Sequence, residues 1–369
     1  MLKFKKKVIL AMSGGVDSSV SAWILQQKNY YVEGLFMKNW EENDNNFYCS
    51  AKKDFEDATH VCSKLGIRLN KVNFSFEYWE NVFKKFLKEY KLGLTPNPDV
   101  LCNKEIKFKV FYEFAVKNLG ADFIATGHYV RRRDDKKSSF LLTGIDSNKD
   151  QSYFLYTIHE NILKKCLFPV GTLTKEIVRK IAARLKLNVF NKKNSTGICF
   201  VNPKNINNFL EIYIPKIKGN IITTCGRIIG THNGLAYYTL GQRRGLGIGG
   251  IKGIKNIPWY VVDKNVVFNS LIVAQGLNNY HLMSIGLIAH NVHWINGLKF
   301  KNSFSCSVKV RYRHKAVLCT IFIHEKKCIK VLFQYPVLSI TPGQSVVFYS
   351  SELCLGGGII KERLPILTL

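Results

Sequence analysis

The stretch KVILAMSGGVDSSVSAW, residues 7–23, constrains the fold more than any other part of the chain. A short apolar run reads as a strand buried on both faces, and the Gly-Gly turn after it leads straight into a helical pattern. A strand that feeds a helix rather than a tight hairpin favours parallel pairing with the next strand. The pattern then repeats. YYVEGLFMKNW, IRLNKVNFS and ADFIATGHY read as strands, and DFEDATHVCSKLG, EYWENVFKKFLKEYKLG and FKVFYEFAVKNLG as helices. LTKEIVRKIAARLKL is one more helix, with Ile177, Ile181 and Leu185 on its expected apolar face. The first half is therefore expected to be an α/β domain with a doubly wound parallel sheet.

The style changes after about residue 205. From CGRIIGTHNGLAYYTLGQRRGLGIGG onward, short apolar stretches are broken by Gly, Asn and Asp, and WYVVDKNVVFNSLIVAQG reads as a hairpin. From about residue 282, FSCSVKVRYRH, AVLCTIFIHE, CIKVLFQYP and SVVFYSSELCLGGGII alternate as antiparallel strands do. Three units are expected: 1–205, a small β-rich central domain at 206–281, and a C-terminal antiparallel β-barrel at 282–369.

Lys and Arg outnumber Asp and Glu by 54 to 26, a net charge of +28. Such an excess favours a polyanionic partner. The abundance of Lys, Asn, Ile, Phe and Tyr offers a blander cause in AT-rich codon usage, but the extremity of the charge favours nucleic acid. No apolar run approaches the roughly 18 residues of a spanning helix, and MLKFKKKVILAM breaks off after five apolar residues, too few for a signal peptide. A cytosolic protein without membrane contact is expected. Its ten cysteines should then be reduced, and none forms a C-x-x-C pair that would suggest zinc. Cys62, Cys166, Cys306, Cys319 and Cys328 read as small core residues, whereas Cys102 and Cys199 do not.

The turn Ser13-Gly14-Gly15 lets backbone approach an anion, and Ser18 and Ser19 add hydroxyls at a helix N-terminus that favours phosphate. No Lys follows the glycines, so this is not the loop that grips a γ-phosphate for transfer. Asp17 reads either as a first-turn acid stabilising its helix or as a carboxylate holding Mg²⁺ against phosphates, the second being favoured. In TPNPDVLCNKEIKF, the prolines and the Asn97-Pro98 step are expected to stop any helix before Asp99 and Cys102, with a helix resuming at Ile106. That reading puts Cys102 on a loop, where Lys104 and Lys107 would favour its thiolate. Cys199, in NKKNSTGICFV after Ser195, Thr196 and Gly197, also reads as a loop residue.

SGGVDS closely resembles the loop of the PP-loop ATP pyrophosphatases, which hold the pyrophosphate of ATP and transfer AMP to a substrate oxygen. Taken in order, SGGVDSS, NPDVLCNKEIKF, ATGHYVR, DQSYFL, STGICF and GQRRGLGIGG resemble the tRNA-specific 2-thiouridylases of the MnmA type, as do KVRYRH and TPGQ near the end. Cys225 and Arg243-Arg244 depart from the expected pattern without touching the chemistry. The resemblance implies sulfur insertion at C2 of a wobble uridine in lysine-, glutamate- or glutamine-type tRNA, with ATP, and Mg²⁺ accompanying it, as cofactor. Cys199 would carry a persulfide received from a sulfur donor protein, and Cys102 would close a disulfide with it as sulfur is released.

By the same resemblance Ala11, Met12, Ser13, Gly14, Gly15, Val16, Asp17, Ser18, Met37 and Gly127 would contact ATP. Asn97, Pro98, Asp99, His128, Lys149, Asp150, Gln151, Arg311, Tyr312 and Gln344 would contact tRNA, and Asp99 would also move a proton at the uridine. On residue chemistry alone, Asp99 could be an Asx-turn residue, His128 a strand-end histidine and KDQSYF an ordinary helix start. Arg311, Tyr312 and Gln344 could be a solvated strand face. A monomer is expected. Another PP-loop ligase or amidotransferase, and a non-catalytic RNA-binding protein, are the competing readings.

Overall fold

The computed structural model describes residues 5–41, 51–193, 206–249, 257–298, 302–325 and 328–366. Strand β1 (Lys7–Ala11) is the centre of a five-stranded parallel sheet. It pairs with β2 (Tyr31–Lys38) on one side and β4 (Phe123–Ala125) on the other, and β3 (Leu69–Asn73) and β7 (Cys166–Leu167) complete the order β3-β2-β1-β4-β7. Val8, Ile9 and Leu10 are fully buried because β1 is covered on both faces. Side chains alternate across a strand, so Ile9 and Leu35 join one core while Val8, Leu10 and Met12 join another.

Helices α1 (Val16–Gln27) and α2 (Ala51–Leu65) pack on the second of these cores. Two longer helical runs cover the first: α3 at 75–91 and α4 at 98–119, each with a π-helical stretch. Helix α5 (Lys175–Arg184) packs beside α1. Its inward face differs from the one expected: Lys175, Val178 and Ala182 are buried, Ile181 and Leu185 pack at the margin, and Ile177 is 43% exposed. The helix is turned so that Lys175 reaches an acid on α1.

The chain runs from β1 outward to β3 and then crosses back to place β4 on the other side of β1. Such a reversal opens a crevice beyond the carboxyl ends of β1 and β4, the usual ligand position in open α/β sheets.

Strands β5 (Val130–Asp134) and β6 (Ser139–Thr143) form a hairpin that leaves this domain. The central domain is a four-stranded sheet of β8 (Gly219–Thr223), β9 (Ile228–His232), β10 (Trp259–Asn265) and β11 (Ser270–Gln275) in the order β10-β11-β8-β9. The C-terminal strands are β12 (Met283–Trp294), β13 (Ser303–Lys309), β14 (Val317–Glu325), β15 (Cys328–Leu338), β16 (Ser345–Ser350) and β17 (Leu353–Pro365). They run antiparallel in the order β12-β15-β14-β13-β16-β17, and pairing of β12 with β17 closes the barrel. The hairpin then joins β17 through Leu142 opposite Leu353, with Thr143 N donating to Glu352 O at 2.9 Å. Val347, Tyr349 and Cys354 of the barrel share one core with Ile9 and Leu35. Cys62, Cys166, Cys306 and Cys319 are buried as expected, while Cys328, at the start of β15, is only half-buried. Among the described residues no helix is long and apolar enough to cross a membrane.

Candidate active site

The crevice beyond β1 and β4 is an open cavity of about 590 Å³. At one end lies the turn after β1. Ala11, Met12, Ser13, Gly15, Val16, Asp17 and Ser18 line the cavity. Gly14 sits behind them with φ +66°, and a Cβ there would collide with the Asp54 carbonyl, so both conformation and space require glycine. Ser18 Oγ accepts from Ser13 N at 3.3 Å and donates to Gly15 O at 3.0 Å, holding the turn closed. Helix α1 starts after Gly15 without a side-chain cap, which leaves first-turn amides for an anion. Gly127, after β4, abuts this turn: an added Cβ would lie 2.9 Å from Ser18 N. Met37, from the end of β2, lines the same end.

Asp17 is not presented as an open cation ligand. Lys175 Nζ donates to its two oxygens at 2.7 and 2.8 Å, and Tyr129 Oη donates to Oδ1 at 2.7 Å. The expected magnesium-holding role therefore does not fit this carboxylate as it stands, and no cluster of three metal-ligating side chains occurs among the described residues. Lys192 is a second, half-buried link that the sequence did not disclose. Its ammonium donates to Gly14 O at 2.9 Å, to Asp54 at 2.7 Å and to Asp57 at 2.5 Å, tying the turn to α2.

The opposite end is built by α4, where the sequence expectation needs correction. Asp99 and Cys102 are not on a loop. Asn97 caps the helix, its Oδ1 accepting from Val100 N at 3.3 Å, and Pro98 occupies the first helical position. An Asn-Pro step can start a helix as well as stop one, because proline lacks only an amide that the first turn leaves unbonded anyway. The helix then continues unbroken, π-wound over Cys102–Val110, to Leu119. One turn apart, Asp99 and Cys102 both face the cavity with Asn103 and Lys107.

Cys102 is only 2% exposed. Lys104 is paired with Glu105 at 3.4 Å, whereas Lys107 lines the cavity. Burial pushes the Asp99 carboxyl above its ordinary range, and the Lys107 charge opposes the rise. His128 is buried with Nδ1 2.8 Å from Thr126 Oγ1, and burial, reinforced by Lys107, holds its pKa well below the usual value, so the ring is neutral.

The barrel side supplies the third wall. Lys149, Gln151, Phe154 and Tyr312 line the cavity, with Phe154 and Tyr312 ring centroids 4.5 Å apart. Asp150 lies beneath, buried, accepting from Gly144 N, Ser152 N and Ser152 Oγ and from Lys309 of β13 at 3.0 Å. Arg311 turns away from the cavity to donate to Leu240 O, Ser339 O and Thr341 Oγ1. Gln344 donates to Thr95 O at 2.7 Å and to Pro96 O at 3.4 Å. In this structure Asp150, Arg311 and Gln344 bind the protein to itself. Cys199 lies outside the described residues; Lys192 and Lys193, at the edge of the segment that contains it, line the cavity.

One cavity thus joins a turn with uncapped first-turn amides to a buried thiol and an up-shifted carboxylate. Sequence comparison gives the same arrangement a lineage. The profile described as the tRNA methyl transferase HUP domain matches residues 6–203, that of the tRNA methyl transferase PRC-barrel domain 207–275, and that of the aminomethyltransferase beta-barrel domain 284–360. The chain is 65% identical over 369 residues to the tRNA-specific 2-thiouridylase MnmA of Buchnera aphidicola subsp. Baizongia pistaciae, with all of both chains covered. It is 61% identical to the protein of that name from Buchnera aphidicola subsp. Schizaphis graminum, again with both chains covered in full. With the one from Salmonella paratyphi B it shares 59%, covering 99% of this chain and 100% of that one. The chain belongs to the tRNA-specific 2-thiouridylase MnmA family.

Proposed function

We propose that this protein catalyses ATP-dependent 2-thiolation of a wobble uridine in tRNA. The observation that carries the reading is the convergence on one cavity of the Ser13–Ser18 turn with Asp99 and Cys102. Full-length similarity to proteins named for this reaction supports it.

ATP is a substrate. Its phosphates would meet the α1 amides and the serine hydroxyls, with the adenosine toward Met37 and Gly127. Uridine O2 would attack the α-phosphorus and release pyrophosphate, so that O2 becomes part of a leaving group. Sulfur from a Cys199 persulfide would then attack C2, and the C2–O2 bond would break with O2 departing in AMP. Cys102 would attack Cys199 to close a disulfide, the sulfur–sulfur electron pair leaving with the transferred sulfur. Asp99 would take the uridine proton, a role its raised pKa suits. Reaching C2 requires the base to leave the anticodon stack, and the Phe154–Tyr312 pair offers a stacking wall. A divalent cation enters this reading only as the counter-ion that ATP carries.

We assign 1–205 as the catalytic unit, 206–281 as the central unit and 282–369 as the barrel that faces tRNA. The partners are lysine-, glutamate- or glutamine-type tRNA and a sulfur donor protein, and the protein acts as a cytoplasmic monomer. The profile names speak of methyl transfer, but a turn suited to pyrophosphate beside a thiol matches adenylation followed by sulfur attack better.

The test is to incubate unmodified tRNA with the protein, Mg-ATP and a cysteine desulfurase system, digest it and weigh the nucleosides. One uridine should gain the mass of an oxygen-to-sulfur exchange, and Cys199→Ser should abolish the gain. Pyrophosphate release without sulfur gain would retain adenylation and overturn the assigned nucleophile or donor. Neither product would overturn the whole reading.

A further inference from the structure

Asn103 follows Cys102 on α4, and its side chain is 3% exposed. Its amide nitrogen donates to Phe154 O at 3.4 Å, which fixes the orientation of the amide. The amide oxygen, Oδ1, is buried and has no hydrogen-bond partner in the structure. An unpaired buried acceptor costs about 1–3 kcal/mol, and such atoms are rare enough that each needs a cause. Asn103 lines the same cavity as Asp99, Cys102, Lys107 and His128. A small movement of the side chain toward the cavity would offer this oxygen to a donor on a ligand bound there.

Resting on the thiolation reading, the ligand at this end of the cavity is a pyrimidine. Uracil has one ring N–H, at N3, bonded directly to the reacting C2. Cytosine presents a lone pair at N3, and its amino group lies one ring position farther from C2. We propose that Asn103 is a specificity-determining residue, its Oδ1 accepting the N3–H of the flipped uracil. The same oxygen repels the N3 lone pair of cytosine, and the bond fixes the orientation of C2 in the cavity. Asn103 accepts the N3–H in the binding complex and Asp99 takes that same proton when O2 is adenylated, since an amide selects a proton-bearing base without removing its proton.

The proposal is tested with fluorescent anticodon stem-loops that differ only in uridine or cytidine at the wobble position, bound in the absence of ATP. Wild-type protein should prefer uridine by about tenfold or more, the discrimination expected of one well-made base-edge contact. Asn103→Ala should bring the ratio near one and leave the KM for ATP unchanged. Asn103→Asp keeps an acceptor oxygen in the same shape but loses the donor to Phe154, and it should retain the uridine preference. Equal binding of the two stem-loops by wild-type protein, or an undiminished ratio in Asn103→Ala, would overturn the assignment. So would an Asp variant as indiscriminate as the Ala variant, because the amide would then serve only to hold Phe154. Failure of the thiolation reading would show differently, as wild-type protein leaving the uridine stem-loop unthiolated with ATP and a sulfur donor present.

Discussion

Gln344, in the turn between β15 and β16 of the barrel, donates a 2.7 Å hydrogen bond to the carbonyl of Thr95, two residues before the Asn97 cap of α4. Thr95 N returns a bond to Pro342 O at 3.0 Å. The barrel thereby fixes where the helix bearing Asp99 and Cys102 begins. Gln344→Ala should cost about 1 kcal/mol, the worth of a typical intramolecular hydrogen bond, and lower the melting temperature by about 2 °C. It should also slow thiolation at saturating tRNA while leaving tRNA affinity within a factor of about two. Calorimetry and a binding titration separate this from a direct RNA contact, which would weaken tRNA affinity and spare the melting temperature.

The Lys175–Asp17 pair ties the first turn of α1, next to the Ser13–Gly15 turn, to α5. Removing one member of a buried ion pair leaves the other charge stranded. Lys175→Met should therefore destabilise the protein by about 2 kcal/mol, below the fully buried case because Asp17 keeps some solvent contact. The double variant Asp17→Asn/Lys175→Met should be more stable than Lys175→Met alone. Urea unfolding of the four proteins in the cycle measures the coupling, and strict additivity would show that the pair does not act as a unit.

At Gly14 the constraint is steric. Gly14→Ala places a methyl group against the Asp54 carbonyl in a left-handed backbone conformation. The turn must shift, so the KM for ATP should rise about tenfold or more, corresponding to about 1.4 kcal/mol. Gly66→Ala is the control: it also has positive φ, with open space around it. It should leave the KM unchanged.

The pH dependence follows from Asp99. In the proposed reaction its carboxylate is the base, and burial raises its pKa. Thiolation should therefore fall away as pH drops through a value above the ordinary carboxylate range of about 3.9. Lys107 opposes the rise, so Lys107→Met should move this acid limb to still higher pH. Asp99→Asn should give a low rate with no acid limb. Rates at saturating substrates across pH check both, and a downward shift in Lys107→Met would contradict the electrostatic account.

The parallel core and the barrel could be read from the chain because each rests on local periodicity: apolar runs that feed helices in one, alternation in the other. The turn between β1 and α1 was legible for the same reason, being one contiguous stretch. The start of α4 was misread because Asn97 and Pro98 carry the same signal whether they end a helix or begin one. Lys175 and Lys192 were invisible for a different reason. Lys175, at the start of an amphipathic helix, and Lys192, in a polar loop, look solvated until folding brings Asp17, Asp54 and Asp57 to them from distant segments. Arg311 and Gln344 likewise gave no sign that their donors would be spent on carbonyls of the protein itself.

The hairpin of β5 and β6 lies in the first half of the sequence yet extends the sheet of the last strand. During synthesis its outer edge waits for β17, the final strand of the barrel, while the nucleotide turn and α4 have long since emerged. The Ser13–Ser18 turn and α4 therefore leave the ribosome well before the surface that seats α4. The bonds of Gln344 to Thr95 and of Tyr153 to Ser345 can form only after the barrel strands are made, so the setting that fixes α4 is among the last parts of the fold to be completed.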